Sequence, residues 1–238
     1  MTEMQDDPPL GLVNRNAEWM PPSGATLAAW KGTRIKMPWL AAALDAGRLA
    51  PFWERGDRLD GYVGWGLKPP ARIARYWALA RRFPYWIVED GFLRSVGLGK
   101  SGVPPISIVV DDLGIHFDAR TPSRFERICA DHDFQPMLER ARDLRSAVVR
   151  FRLTKYNHLP DIPPRLPPKK RPRVLLIDQV DGDFSVIGGC ANRASFAAML
   201  DTALKIRRAP TCSSGCIRTW WPAMSTAIST HSPPASPG

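Results

Sequence analysis

Cysteine is scarce, with four residues (Cys129, Cys190, Cys212 and Cys216) in 238. That excludes a disulfide framework of the kind small secreted domains rely on. Cys212, Cys216 and His231 come nearest to a zinc set, but no second Cys/His pair stands at ligand spacing, so no metal site is expected. Long apolar runs are missing too. No segment approaches the ~18 consecutive apolar residues a membrane span needs. The first residues, Met1 to Pro9, are acidic and proline-bearing, without the basic-then-apolar pattern of a signal peptide. The expected location is the cytoplasm. Internal repeats are absent as well.

Acids are in deficit, 23 Asp and Glu against 33 Lys and Arg, giving a net charge of +10. A basic balance invites a nucleic-acid reading, because basic patches neutralise phosphates. The distribution argues against it. Residues 205–238 contain Lys205, Arg207, Arg208 and Arg218 and no acid, so the rest of the chain holds +6 of the +10. That excess is spread over arginine-bearing helices and one run, Lys169-Lys170-Arg171-Pro172-Arg173, of the kind that usually forms a solvated linker. No aromatic-and-glycine RNA signature accompanies it. No nucleic-acid partner is expected, and a basic binding module or a non-catalytic scaffold is the alternative class. A mildly basic body also suits an enzyme with an anionic donor that works at the inner face of a membrane.

With 44% hydrophobic and 24% charged residues, the middle of the chain can bury a core. Residues 1–30 have mixed polarity and no period, and are expected to be disordered. Leu40 to Leu49 predicts a short helix stopped near Pro51. Tyr62 to Gly66 predicts a buried strand, and Ala71 to Arg82 a helix with Ile73, Trp77 and Ala80 on its apolar face. Tyr85 to Val88 and Ile106 to Val110 predict two further strands. Ser123 to Cys129 and Met137 to Leu153 predict helices, the first opened by a Ser123/Glu126 capping box. Pro160 to Pro172 predicts an extended linker. Val174 to Ile177 predicts another strand, and Ser195 to Leu204 a helix. Apolar strands alternating with helices indicate an α/β fold with a parallel sheet covered on both faces. The expected division is a domain over 31–159, a linker over 160–173, the start of a second domain over 174–204, and a tail over 205–238.

Three of these strands run into acids: Glu89-Asp90, Asp111-Asp112, and Asp178 followed by Gln179, Asp181, Asp183 and Ser185. Ligands of open α/β sheets bind at the carboxyl ends of strands. Carboxylates converging there repel one another unless they serve a cation, sugar hydroxyls or proton transfer. Taken singly, each acid also fits a helix or turn cap. Arg94 and Ser95 lie one turn beyond the Glu89-Asp90 pair. A guanidinium there either forks onto a substrate carboxylate or closes an internal ion pair. Lys155-Tyr156-Asn157 reads equally as a phosphate or sugar contact and as a plain helix end.

The segments "WGLKPPARIARYWA", "VEDGFLRSVGLG", "PPISIVVDDLGIHFDARTPSRFE", "KYN" and "VLLIDQVDGDFSVIGG", in that order, resemble the capsule polysaccharide synthesis family of retaining β-Kdo transferases, over about residues 62–204. The match lies closer to the N-terminal of the two modules in full-length members. The resemblance implies one Rossmann-like half of a GT-B arrangement. It also implies CMP-Kdo as donor, with no further cofactor, and a lyso-phosphatidylglycerol-type lipid acceptor. Peripheral contact with the inner membrane and the capsule export machinery is a further expectation. It assigns Asp183 as nucleophile and Glu89 as acid/base, with Asp178 an alternative to Asp183. Asp90, Arg94, Ser95, Lys155, Asn157, Asp178, Gln179 and Ser185 are then expected to bind substrate. After Leu204 the resemblance stops, where the family continues to a His-Pro-Asp motif. Shifting the implied codons by one base permits "LLVRVHPDVVA"; within it, the codons of Trp220-Trp221-Pro222 force Val-Ala. Residues 205–238 are therefore expected to be out of frame, and the chain as written is expected to lack half of the donor site and to transfer no Kdo.

Overall fold

The computed structural model describes residues 19–158, 174–180 and 182–208. Contacts group Met1–Ile162 with Val180–Asn192 in one unit, and Pro163–Gln179 with Arg193–Gly238 in another. The residues expected to form the linker, 160–173, lie outside the described residues, as does all of 209–238.

The first unit is built on a five-stranded sheet: β1 (Thr26–Ala28), β2 (Arg48–Ala50), β3 (Gly61–Trp65), β4 (Tyr85–Asp90) and β5 (Ile108–Asp111). Their order across the sheet is β2-β1-β3-β4-β5. The first four are parallel to their neighbours, and β5 runs antiparallel to β4. Strand alternation sends alternate side chains to opposite faces. Ala28, Ala50, Tyr62, Tyr85 and Ile87 enter one core with Ala74 and Ala78, whereas Leu27, Val63, Trp65, Trp86 and Val88 enter the other with Leu40 and Leu44. Both faces are thus covered, as an α/β sheet requires.

Helices α1 (Lys31–Lys36) and α2 (Leu40–Ala43) precede β2, and α3 (Pro69–Arg81) joins β3 to β4. Proline occupies the first turn of α3, where its missing N–H costs nothing. The buried face of α3 is Ala71, Ala74 and Ala78, not the expected Ile73, Trp77 and Ala80; Ile73 and Trp77 are each 39% exposed. Close approach explains the difference. A Cβ on Gly64 of β3 would stand 2.8 Å from the Ala71 Cβ and 2.9 Å from its Cα, so only small side chains fit between helix and strand. The α3 helix ends at Arg82, which adopts the left-handed conformation (φ 59).

Two expectations near the N-terminus need correction. Residues 26–28, placed in a disordered segment, form β1; Leu27 and Ala28 are fully buried and β1 pairs with both β2 and β3. Their short apolar run was masked by the prolines before it. Leu40 to Leu49 is not one helix: α2 stops at Ala43, Asp45 takes a positive φ of 52, and the chain continues into β2.

Beyond the sheet lie α4 (Arg124–Asp131), α5 (Leu138–Arg150), α6 (Phe184–Gly188) and α7 (Arg193–Arg208). The capping box on α4 is present in both directions, Ser123 with Glu126. The α6 helix belongs to the first unit, where the Ala119 N–H donates to the Gly188 carbonyl at 2.8 Å. The expected strand Val174 to Ile177 does not form: it carries no ladder, and Leu175 and Ile177 are 63% and 67% exposed. An apolar run becomes a strand only where a neighbouring strand can accept its hydrogen bonds. No described helix is long and apolar enough to cross a membrane.

Candidate functional site

The connection from β4 to β5 has no crossover helix, which a parallel return normally needs. Instead residues 91–107 form a loop whose base is closed by the Gly91 N–H donating to the Ser107 carbonyl at 2.9 Å and the Ile106 N–H to the Arg94 carbonyl at 2.6 Å. A Cβ on Gly91 would lie 2.1 Å from the Ser107 Oγ, so this close approach of the two segments needs glycine. Because β5 is antiparallel, Asp90 pairs with Ile108 while Asp111 pairs with Ile87. The acid ends of β4 and β5 therefore point to opposite edges of the sheet. The three acid-tipped strands do not converge: Asp111-Asp112 sit at the other edge, and Asp178 does not end a strand.

Asp111 and Asp112 are occupied structurally. Asp111 accepts the backbone N–H groups of Leu113 (2.9 Å), Gly114 (3.0 Å) and Arg124 (2.8 Å). Burial pushes its carboxyl up, against those three donors. Asp112 takes the Arg124 guanidinium in a two-pronged pair at 2.8 and 2.7 Å. Together they moor the start of α4.

Glu89 and Asp90, at the carboxyl end of β4, have a different environment. Burial pushes the Glu89 carboxyl above its ordinary range and the Asp90 charge adds to this, while the Asp90 amide and the charges of Lys68 and Lys155 oppose it. Glu89 Oε1 accepts the Asp90 N–H at 3.0 Å. On its other side the backbone of Gly66, in the left-handed region (φ +57), comes so close that a Cβ there would lie 2.6 Å from Glu89 Oε2. The carboxylate is held against the end of β3.

Arg94 is 5% exposed, and its Nε donates to Asp90 Oδ1 at 2.6 Å. Its Nη1 donates to the Ser95 Oγ at 2.7 Å, and that hydroxyl donates on to the Gly97 carbonyl at 2.6 Å. A Cβ on Gly99 would lie 2.6 Å from Arg94 Nη2. Of the two alternatives for Arg94, the geometry is that of the internal ion pair. The Lys155 carbonyl accepts the N–H groups of Arg94 (3.0 Å) and Ser95 (3.3 Å), and the Asn157 N–H donates to the carbonyls of Ser95 (3.2 Å) and Val96 (3.1 Å). Tyr156 lies in a parallel bridge with Ser95, and its hydroxyl is pushed up by burial and by the nearby Asp90. The Lys155-Tyr156-Asn157 segment is thus stitched to the β4 turn, bringing Glu89, Asp90, Arg94, Ser95, Lys155 and Asn157 into one cluster.

Asp183 caps α6, its Oδ1 accepting the Ser185 N–H at 2.8 Å, and it is exposed. The helix is seated by Gly188, whose Cβ position lies 2.6 Å from the Phe117 carbonyl. Asp178 accepts the Gln179 N–H at 2.8 Å and belongs with Gln179 to the other unit. Among the described residues no group of three or more His, Cys, Asp or Glu side chains could hold a metal ion.

Sequence reasoning missed the aromatic neighbours. Phe92 packs against His116 (ring centroids 5.2 Å) and Phe125 (5.5 Å), and His116 also against Phe117 (5.4 Å). The available signal was the phenylalanine inside the acid-glycine motif and the His-Phe pair after the second acid pair.

Residues 60–161 match the family model described as "Capsule polysaccharide biosynthesis protein". LipA, a capsule polysaccharide modification protein of Neisseria meningitidis serogroup A, is 40% identical over 174 residues, covering 71% of this chain and 24% of LipA. The lipopolysaccharide-processing protein LpsZ of Rhizobium meliloti is 44% identical over 138 residues, 56% of this chain and 31% of LpsZ. The chain thus spans between a quarter and a third of these relatives. Among solved structures, the β-Kdo 2,4 transferase of Thermosulfurimonas dismutans KpsC superposes with a TM-score of 0.73 at 31% identity, over 82% of this chain and 60% of that one. Its β-Kdo 2,7 transferase shares the fold, with a TM-score of 0.53 at 19% identity. Fold and sequence together define an α/β protein in keeping with a GT-B-like half. Its residues 60–161 carry the sequence pattern of the capsule polysaccharide biosynthesis family.

Proposed function

We propose that the cluster at the end of β4 is the acid/base side of a retaining β-Kdo transferase site, using CMP-Kdo as donor and a lipid-linked acceptor. The observation that carries this reading is Glu89, a half-buried carboxylate with its affinity for protons raised, pinned beside Gly66. A general base works best when its pKa lies near the operating pH, and burial moves Glu89 in that direction. In the proposed sequence the Asp183 carboxylate attacks the anomeric carbon of Kdo and the bond to the CMP phosphate breaks. The acceptor hydroxyl then attacks the same carbon, its proton passes to Glu89, and the bond to Asp183 breaks. Two inversions give net retention. Arg94, enclosed by Asp90 and Ser95, positions the Glu89 turn. Lys155 and Asn157, both exposed, are the groups assigned to contact substrate, with Ser185 of α6 assigned to the donor; Asp178 and Gln179 belong to the other unit and are given no role here. The KpsC match at 31% identity makes a 2,4 linkage the first to test.

Transfer from CMP-Kdo to a Kdo-primed lipid acceptor, followed by chromatography of the product, tests the reading in two proteins: the chain as written and one with the frame shifted by a base after Leu204. The chain as written is expected to be inactive, and turnover by it would overturn that statement. The shifted protein is expected to be active. Its rate should fall as pH drops through the raised Glu89 value, because the base form is lost there, and Glu89→Gln should lower it at least 100-fold. A Glu89→Gln protein that turns over like its parent would refute the assignment.

A further inference from the structure

Next to Glu89 lies a set of rings for which the reading above has no use. Phe92 is three residues beyond Glu89 and 58% exposed, and Phe125, in the first turn of α4, is 43% exposed. Their ring centroids are 5.5 Å apart, and His116 packs against both, at 5.2 Å from Phe92 and 6.3 Å from Phe125. The His116 Nδ1 is buried without a hydrogen-bond partner. A buried polar atom left unpaired is a cost, so the ring is held there by packing among Phe92, Phe117 and Phe125 and not by a hydrogen bond at that nitrogen. Exposed aromatic groups that are not scattered singly mark ligand or partner surfaces.

The rings have a cation beside them. Lys155 is exposed, its Nζ stands 5.7 Å from the Tyr156 ring centroid, and its carbonyl is tied to the amides of Arg94 and Ser95. Those bonds hold it against the chain two residues beyond Phe92, so the acid, the cation and the rings lie along one stretch of backbone. Arg94 is enclosed; of the exposed cations Lys68 and Lys155 that act on Glu89, Lys155 is the one whose backbone is bonded to the segment carrying Phe92. An apolar surface of rings tilted 52–68° to one another, flanked by one ammonium and one carboxylate, offers a ring face to the C–H groups of a pyranose that carries an acid group at its edge.

We propose that Phe92, His116 and Phe125 form a platform on which the acceptor's acidic sugar ring stacks, with the Lys155 ammonium meeting its carboxylate. This rests on the Kdo-transfer reading, since it places the acceptor hydroxyl within reach of Glu89. The occupant is a sugar and not an acyl chain, because an acyl chain gives Lys155 no partner.

The test is saturation-transfer NMR and calorimetry on the whole chain, with free Kdo, its methyl ester, CMP and lyso-phosphatidylglycerol micelles as probes. Phe92→Ala/Phe125→Ala should weaken Kdo binding at least tenfold. Lys155→Ala should weaken Kdo by a similar factor and leave the methyl ester unchanged. Tyr76→Ala, on α3 and 71% exposed, is the control and should bind as the parent does. Far-UV circular dichroism and melting must match the parent for each variant to count. Kdo bound equally by the folded double variant overturns the platform alone. Loss of micelle binding with Kdo binding intact overturns it in favour of a lipid surface. Failure of the unmodified chain to bind Kdo overturns the platform, and failure of the frame-shifted protein to bind CMP overturns the transfer reading with it.

Discussion

Replacing Gly66 by alanine should expose how far the end of β3 is shaped around Glu89. Gly66 sits at φ +57, its N–H donates to the Val88 carbonyl at 2.8 Å, and an added Cβ would stand 2.6 Å from Glu89 Oε2. The left-handed conformation costs an L-residue about 1–2 kcal/mol. The hydrogen bond to Val88 keeps the backbone from relaxing away, so the carboxylate has to give. Moving it endangers the Asp90 N–H bond at 3.0 Å, worth about 1 kcal/mol. The smaller entropy of the unfolded alanine chain returns about 0.5 kcal/mol. The net loss is about 2 kcal/mol, a melting temperature lower by roughly 4–8 °C for a unit of this size. In a Glu89→Ala background the collision vanishes and only the conformational cost remains, about 1 kcal/mol. The difference, about 1 kcal/mol, is the coupling that a double-mutant cycle reads by thermal and urea unfolding. Equal losses in both backgrounds would show that the carboxylate does not press on Gly66, and the picture of a pinned acid would fail.

Two further outcomes follow from the same cluster and from the reading frame. Arg94→Met strands Asp90, whose side chain is 14% exposed, without its guanidinium, and should cost about 3 kcal/mol by urea unfolding, whereas Asp90→Asn/Arg94→Met should recover most of that; a single variant within about 0.5 kcal/mol of the parent would mean the pair contributes nothing. Sequencing the gene across the codons of Leu204 and Lys205 should reveal a one-base shift, and an intact frame there in independent clones would refute the codon argument built on Trp220-Trp221-Pro222.

The sheet and its helices were legible where pattern and local chemistry agreed. Tyr62 to Gly66, Tyr85 to Val88, the capping box at Ser123 and the helix before Phe151 all announce themselves in the sequence. What failed depends on a partner that a single segment cannot reveal. Thr26–Ala28 is too short to show a period and is a strand because β2 and β3 flank it. Val174 to Ile177 has the right residues and no ladder. The direction of β5 was invisible because it is decided by the return at Gly91 and Ser107, which a strand pattern does not encode. The α3 face was misread because size outweighed hydrophobicity: Gly64 and Ala71 meet too closely for isoleucine.

The direction of β5 also separates the two acid pairs that the sequence makes look alike. By sequence, Glu89-Asp90 and Asp111-Asp112 are the same signal, an apolar strand ending in two acids. Antiparallel pairing separates them by the length of the strand, and their donors then separate them in kind. Asp111 has three backbone N–H groups and Asp112 a two-pronged arginine, so their acceptor capacity is filled by the fold itself. Glu89 is also pushed up by burial, yet among the described residues a single donor, the adjacent Asp90 amide, reaches it. A half-buried carboxylate with one donor carries a desolvation cost that the folded chain leaves largely uncompensated. Such a cost can be met where a bound group supplies the missing partner, so it is the incomplete donor set, and not the acid pair as such, that supports placing the proposed chemistry at the end of β4.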